Sequence, residues 1–194
     1  MLYRTLPVIL ALLLAAPAFA QADEIERMLR ARDAEIKAIV GTSGAIPDAK
    51  REQLRDVVNG VIDFEAMARQ ALGDFWNDLA PAQRTDFVRV FSEVVRAQSL
   101  ADLGLYRARV TYGEVEVSGA TALAYTTARS GDVDAGVDYA LARKNGGWVI
   151  TDIVIDGTST VGGYATSFQR VMRRQGTEAG FERLMESLRK RAAR

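Results

Sequence analysis

Apolar residues recur at helical spacing in the first and last parts of the chain, and at every second position in between. From Asp23 to Val40, six apolar side chains fall on one face of a predicted helix, and charges fill the other face. Further helices are predicted to begin near Pro47, after the capping residue Asp63, and at Pro81. The Pro81 helix is expected to continue to about Leu103.

Between these helical segments, the period of two predicts an antiparallel sheet whose consecutive strands are joined by short turns. Turn signals at Gly119, Gly131 and the Asn145-Gly146 pair divide the segment. The alternation changes parity at Gly113, which predicts a β-bulge there. The four predicted strands are Arg107–Val117, Ala120–Arg129, the run from Ala135 to Leu141, and Gly147–Asp156.

The third predicted strand alternates cleanly, whereas the fourth carries apolar residues on both faces. Its pattern places Trp148 and Ile150 on one face, and Val149, Ile153 and Ile155 on the other. Small residues on the neighbouring strands leave two interpretations open. The sheet either packs against an ordinary filled core, or it curves around an apolar cavity.

Helical spacing returns after Gly157. One apolar stripe runs from Val161 to Met172, and Gly176 separates it from a last amphipathic helix that carries Phe181 to Leu188. The order of helices, then strands, then helices predicts a single α+β domain.

The first twenty residues have the pattern of a secretory signal peptide. Arg4 precedes an apolar run that is short for a membrane span, and Ala18-Phe19-Ala20 matches a signal peptidase site. We therefore expect residues 1–20 to be cleaved, and residues 21–194 to form one domain in the secreted compartment. The alternative is an N-terminal membrane anchor.

The chain contains neither cysteine nor histidine. Disulfides, thiolate metal sites, lipid attachment to cysteine, and serine or cysteine catalysis that needs histidine are therefore excluded. Asp132, Asp134 and Asp138 lack the spacing of a calcium loop, so no metal is expected there. The 25 basic and 25 acidic residues balance, which argues against a nucleic-acid-binding protein, although residues 168–194 hold eight basic side chains and three acidic ones.

The residues leave two further functional classes open. A small enzyme with tyrosine and aspartate acid–base chemistry would draw on Tyr112, Tyr125, Tyr139, Asp138 and Asp152. A secreted scaffold with a filled core would carry no ligand at all.

Three segments of the chain are similar to consecutive motifs of one known family. The first comprises Phe75-Trp76, Leu79-Ala80-Pro81-Ala82-Gln83-Arg84 and Phe87; the second is Gly147–Gly157; the third comprises Ser159, Val161, Tyr164 and Phe168. In this order they resemble the MlaC, or toluene-tolerance, family of phospholipid-binding proteins, over about residues 48–188. The chain departs from the family pattern at Ala80, where a capping Thr or Ser is usual, at Gly162-Gly163, and at Ala165, where an Arg is usual.

The resemblance implies a fold and a function. The fold would be a curved four-stranded antiparallel sheet with helices before and after it, shaped like the cone of nuclear transport factor and enclosing an apolar pocket. The protein would be a soluble periplasmic carrier, not an enzyme, with no cofactor. It would bury phospholipid acyl chains and help to maintain the lipid asymmetry of the outer membrane.

The resemblance also implies partners. They would be an inner-membrane ABC transporter complex with its membrane-anchored lipid-binding subunit, and an outer-membrane lipoprotein–porin complex. The carrier itself is expected to be a monomer that binds no nucleic acid.

The pocket lining is expected to come from apolar and tyrosine side chains of both the helices and the sheet. The expected lining residues are Phe64, Met67, Leu72, Phe91, Val95, Tyr112, Tyr139, Ile150, Val154, Val161, Tyr164 and Phe168. Helical spacing also brings Arg170, Arg173 and Arg174 together on the face away from Val171 and Met172. This basic face is either a solvated surface or a docking site for lipid headgroups or an acidic partner.

Overall fold

A computed structural model describes residues 16–99 and 105–193 of the chain. The helices are α1 (Ala16–Val40), α2 (Asp48–Asn59), α3 (Phe64–Leu72), α4 (Phe75–Asp78), α5 (Pro81–Ser99), α6 (Thr160–Gln175) and α7 (Thr177–Ala192), with a 3-10 turn at Leu105–Arg107. The strands are β1 (Arg109–Ser118), β2 (Thr121–Ser130), β3 (Val133–Lys144), β4 (Gly147–Ile155) and β5 (Thr158–Ser159).

Two predicted features lie wholly or partly outside these ranges. Most of the expected signal peptide, residues 1–15, and the expected last turn of the Pro81 helix, residues 100–104, lie outside the described residues. Helix α1 begins at Ala16 and runs through the expected cleavage site before Gln21. No helix in the described ranges is both long and apolar enough to cross a membrane.

The predicted α+β class is confirmed, but the sheet has five strands rather than four. The strands lie side by side in chain order, each antiparallel to the next, in a curved and open sheet. The additional strand, β5, pairs with Val154 and Ile155 at the end of β4, because Asp156 and Gly157 adopt positive φ angles that turn the chain back. A strand of two residues shows no alternation, so the sequence pattern did not reveal it.

The predicted bulge in β1 is confirmed. The pairing of β1 with β2 shifts between Tyr112 and Val115, where Gly113 and Glu114 both oppose Tyr125. The extra residue restores the parity, so Tyr112 and Val115 point to the same face of the sheet.

A second bulge, in β4, corrects one prediction. Ile150 pairs with Leu141, but Ile153 pairs with Tyr139, so β4 contains one residue more than β3 over this stretch. Ile153 and Ile155 therefore lie on the same face as Ile150, and the prediction that they face away from it was wrong. Because β4 carries apolar residues on both faces, the bulge leaves no visible change in its hydrophobic pattern.

Helix α1 packs on one face of the sheet, which is termed the inner face. Ile25 and Leu29 of α1 are buried against the inner-face residues of β2, β3 and β4. An ion pair of 3.1 Å between Arg143 and Glu24 joins β3 to the start of the same helix. The residues buried on the inner face are Ala122, Ala124, Leu141, Trp148 and Ile150, and together with Ile25 and Leu29 they form the sheet cluster.

Helices α3 to α7 form a separate apolar cluster, termed the helical cluster. At its centre the rings of Phe87 and Phe91 are stacked at 5.6 Å, and the ring of Phe168 meets both edge-on at 6.0 Å. Gly180 lets α7 approach α6 closely, since a Cβ there would lie 2.9 Å from Met172 Cα. A third, smaller cluster joins the end of α1 to α2, and its buried members are Ile39, Val40, Ile46 and Leu54.

The start of α5 has only half of a capping box. The side chain of Gln83 accepts a hydrogen bond from the Ala80 N–H at 2.8 Å, as the third residue of such a box does. Ala80 has no side-chain oxygen with which to accept the reciprocal bond from the Gln83 N–H. We predict that Ala80→Ser raises the free energy of unfolding by about 1 kcal/mol in urea denaturation.

The control adds the same hydroxyl two residues further on. Ala82 is exposed in the first turn of α5 and does not occupy the capping position. Ala82→Ser should therefore leave the unfolding free energy nearly unchanged. An equal gain from both substitutions would contradict the capping explanation.

Candidate functional site

The twelve residues predicted to line a pocket divide between two of the apolar clusters. The helical cluster contains eight of them: Phe64, Met67, Leu72, Phe91, Val95, Val161, Tyr164 and Phe168. The sheet cluster contains Ile150, and the partly buried Tyr112 and Tyr139 pack against it. Val154 belongs to neither cluster, because it pairs with Asp138 and Ser159 and points to the opposite face of β4 from Ile153.

The helical and sheet clusters meet at Ile62, which is half-buried and packs against both. Ile62 lies between α2 and α3 and forms an isolated parallel bridge with Ile150 of β4. The boundary between the two clusters at Ile62 is termed the seam. Ile62 was not predicted as a lining residue, because it belongs to no periodic stripe; the only local signal is its place just before the cap Asp63.

The inner face is less covered towards the start of β3 and the end of β4. Leu141 and Ile150 are almost fully buried beneath α1. Val137, Tyr139 and Ile153 on the same face are only half-buried, and Ile155 is 46% exposed. An apolar strip of the sheet therefore extends from the seam beyond the cover that α1 provides.

The tyrosines of the inner face remain neutral at ordinary pH. Burial raises the pKa of Tyr139 to about 12, and burial also raises the pKa of Tyr112 above its usual value. The guanidinium of Arg30 lies 4.1 Å from the centre of the Tyr112 ring and covers it. Neither tyrosine therefore adds a negative charge to the inner face at ordinary pH.

Asp152 fixes the start of α6 and with it the position of Val161. Its buried carboxylate accepts hydrogen bonds from the N–H groups of Ile153 at 2.8 Å and Val161 at 3.0 Å, and from the hydroxyl of Ser159. Ser159 in turn caps α6 by accepting the N–H of Gly162 at 2.7 Å.

These contacts weaken the acid–base alternative. Asp152 is used to cap a helix, and Asp138 accepts the backbone N–H of Thr126 at 3.2 Å. Tyr125 lies exposed, with its hydroxyl directed to Glu116. Within the described ranges, no cluster of three or more acidic residues is arranged to hold a metal ion.

Tyr164 lies where the helical cluster reaches the surface. Its ring packs 5.0 Å from Phe91 and 5.4 Å from Phe168, while its hydroxyl donates to the side-chain oxygen of Gln98. This residue therefore joins α6 to the end of α5, with an apolar body inside and a polar tip at the rim.

Two shallow depressions on the described surface lie along α1. The larger has a volume of about 450 Å³ and includes Glu24 and Arg143; the smaller includes Glu26 and Arg30. The smaller depression is lined by charged side chains alone, and neither depression contains a residue predicted to line the pocket.

Comparison with known proteins gives one family and one fold. The sequence matches the MlaC protein family over residues 31–190, and no curated protein is significantly similar to it. Among solved structures, the chain is similar to a phospholipid-binding protein from Ralstonia solanacearum in complex with a phospholipid. The TM-score is 0.72 at 19% identity, over 90% of this chain and 99% of that chain.

Asp63 anchors α3, and with it Phe64 and Met67, to the sheet. Its carboxylate caps α3 by accepting the Ala66 N–H at 3.1 Å, and it forms an ion pair of 2.7 Å with Lys144 of β3. Burial opposes the charge, but Lys144 and the Ala66 N–H outweigh it, so the pKa of Asp63 lies below its ordinary value.

We predict that Asp63→Ala lowers the unfolding free energy by about 1–2 kcal/mol, since it removes the cap and the ion pair. Asp63→Asn keeps a capping oxygen and should cost less. Because the folded pKa is lowered, the charge contributes stability above the ordinary carboxyl pKa and loses it as the pH falls through the lowered value. The difference between the parent and Asp63→Asn should therefore be constant near neutral pH and disappear in acid.

Asp74 provides the control for Asp63. It precedes α4 without forming a side-chain capping bond and is exposed. Asp74→Ala should change the unfolding free energy little at any pH. If the difference between the parent and Asp63→Asn persists at low pH, the charged anchor is refuted.

Proposed function

We propose that this chain, which belongs to the MlaC family, is a carrier that buries phospholipid acyl chains along the seam. The main support is that the family match covers both sides of the seam, while the interior is divided there into two apolar clusters that share Ile62. A domain of this size usually builds one contiguous core. Here the core is divided beside a half-buried apolar strip. Such a division would allow the helical layer and the sheet to separate around an apolar ligand.

The energetics favour such a site over a polar one. Two acyl chains contain roughly 30 methylenes, and each is worth about 0.8 kcal/mol when it leaves water. Exposure of both chains in transit would therefore cost on the order of 20 kcal/mol. A carrier must offset this cost about as well as a bilayer does, but not much better, because it must also release the lipid.

Carriage of this kind requires no covalent step. The carboxylate of Asp152 is engaged at the start of α6, and that of Asp138 accepts a backbone N–H, so neither carboxylate is free to act as the base of an acid–base pair. The fold likeness to a protein solved with a phospholipid also favours binding over chemistry. We therefore favour a carrier over an enzyme or a scaffold without ligand.

The cellular setting is also part of the proposal. The signal-peptide pattern of residues 1–20 supports release into the periplasm, and the resemblance to the family supports exchange of lipid with membrane complexes. These would be the inner-membrane ABC transporter complex and the outer-membrane lipoprotein–porin complex. Their exchange of lipid with this carrier would maintain outer-membrane lipid asymmetry.

Native mass spectrometry of protein purified from the periplasm tests both parts. The protein mass should correspond to a chain that begins at Gln21, and the complex should carry the additional mass of phospholipid. Freshly purified protein without lipid would contradict the carrier. A chain that retains residues 1–20 would contradict the cleavage.

A filled seam should bind less lipid. We predict that Ile62→Trp reduces the co-purified phospholipid per protein to less than roughly half, because the larger side chain takes space that the acyl chains need. Ile36→Trp is the matched control, since Ile36 is also half-buried but packs against the third cluster. Equal lipid content in both variants, with both folded by circular dichroism, would place the acyl chains elsewhere.

A further inference from the structure

Helix α6 carries three arginines and no acidic residue in its sixteen positions. Arg170, Arg173 and Arg174 are all exposed. Arg173 donates to the neutral side chain of Gln169 at 3.3 Å. No ion pair to any of the three is formed within residues 16–99 and 105–193.

In each of the other helices that has exposed cations, at least one of them forms an ion pair. In α1 Arg30 pairs with Glu26, in α3 Arg69 pairs with Glu65, and in α7 Lys190 pairs with Glu186, each four residues apart. In α5 a single arginine, Arg89, contacts both Asp86 and Glu93. The unbalanced charge of α6 is therefore a local feature and does not follow from the composition of the chain.

The rest of the same helix face indicates what kind of partner it fits. Helical spacing places Gly162, Gly163, Thr166 and Ser167 on the outer side together with the three arginines, and all are exposed. This face has no aromatic or large aliphatic side chain. Binding to another protein usually depends on buried aromatic or large aliphatic side chains, whereas binding to an anionic membrane surface can rely on positive charge alone.

We propose that the outer face of α6 docks the carrier on membrane surfaces that contain anionic phospholipid. This inference rests on the proposed function, because the opposite side of α6 supplies Val161, Tyr164 and Phe168 to the helical cluster. One helix diameter, about 10 Å, therefore separates the docked surface from the side chains beside the seam. Contacts of this kind are weak and reversible, and they are screened by salt over about 8–10 Å.

Sedimentation with large unilamellar vesicles tests the surface directly. The parent protein should bind vesicles of phosphatidylcholine with added phosphatidylglycerol at low salt, and should not bind vesicles of phosphatidylcholine alone. Binding should be lost at roughly 0.5 M salt, where screening is nearly complete. The triple variant Arg170→Glu, Arg173→Glu, Arg174→Glu should reduce the partition coefficient by about tenfold or more.

The control variant changes net charge by the same amount at dispersed positions. Arg27, Lys50 and Arg109 are exposed and lie on three different elements. The triple variant Arg27→Glu, Lys50→Glu, Arg109→Glu should retain most of the binding. Equal losses in the two triple variants would mean that net charge alone governs adsorption, and would overturn the proposal.

Two further outcomes also decide against it. If the parent does not bind anionic vesicles at low salt, the outer face of α6 does not dock on membranes. In that case, slower transfer of lipid from the α6 variant to an isolated protein acceptor would show that this face binds an acidic protein instead. Unreduced vesicle binding by the α6 variant would overturn the proposal as well. The phospholipid content of both folded variants, measured by native mass spectrometry, should equal that of the parent. If the proposed lipid-carrier function is wrong, lipid will be absent from all three proteins, so that failure can be distinguished from a failure of the docking proposal.

Discussion

The helical cluster is attached to the sheet along the edge of β4 that does not pair with β3. The N–H of Ile150 donates to the carbonyl of Val61, and the carbonyl of Ile150 accepts the N–H of Asp63, both at 2.8 Å. Two residues later Asp152 holds the start of α6, and beyond it β5 occupies the same edge. Helices α3 and α6 therefore both begin at one strand, and the bulge in β4 separates their two points of attachment.

This attachment explains how the interior can be divided without instability. Each layer has a fixed centre of its own: Phe87 and Met172 are fully buried in the helical cluster, and Leu141 is almost fully buried under α1. Backbone hydrogen bonds from Val61 and Asp63 to β4 hold the two layers together on either side of Ile62, while the Ile62 side chain itself makes only apolar packing contacts with both clusters. Packing of that kind can be exchanged for packing against acyl chains at little cost, because both are apolar contacts of similar strength. The hydrogen bonds at the β4 edge need not break.

Much of this architecture was predictable from sequence, because it depends on periodicity and on local caps. The helices that begin at Asp63 and Pro81, the turns of the meander and the bulge beside Gly113 all have local signals. The bulge in β4 has none, since apolar residues on both faces conceal a change of parity. β5 and Ile62 were not predicted because each depends on the β4 edge, a partner distant in the chain.

The candidate site shows the same limit. Periodicity correctly indicates that Phe91, Val161 and Ile150 turn inward, but it fails beyond the bulge in β4, where Val154 turns away. It also does not indicate against which layer each inward side chain packs. Their assignment as lipid contacts stays a prediction. The most direct measurement is the detection of nuclear Overhauser effects between acyl-chain protons and isoleucine δ1-methyl groups in the protein purified with its phospholipid. We expect contacts to Ile62 and Ile153 and none to Ile36 or Ile46. A bound lipid whose chains contact Ile36 or Ile46 instead would contradict carriage along the seam.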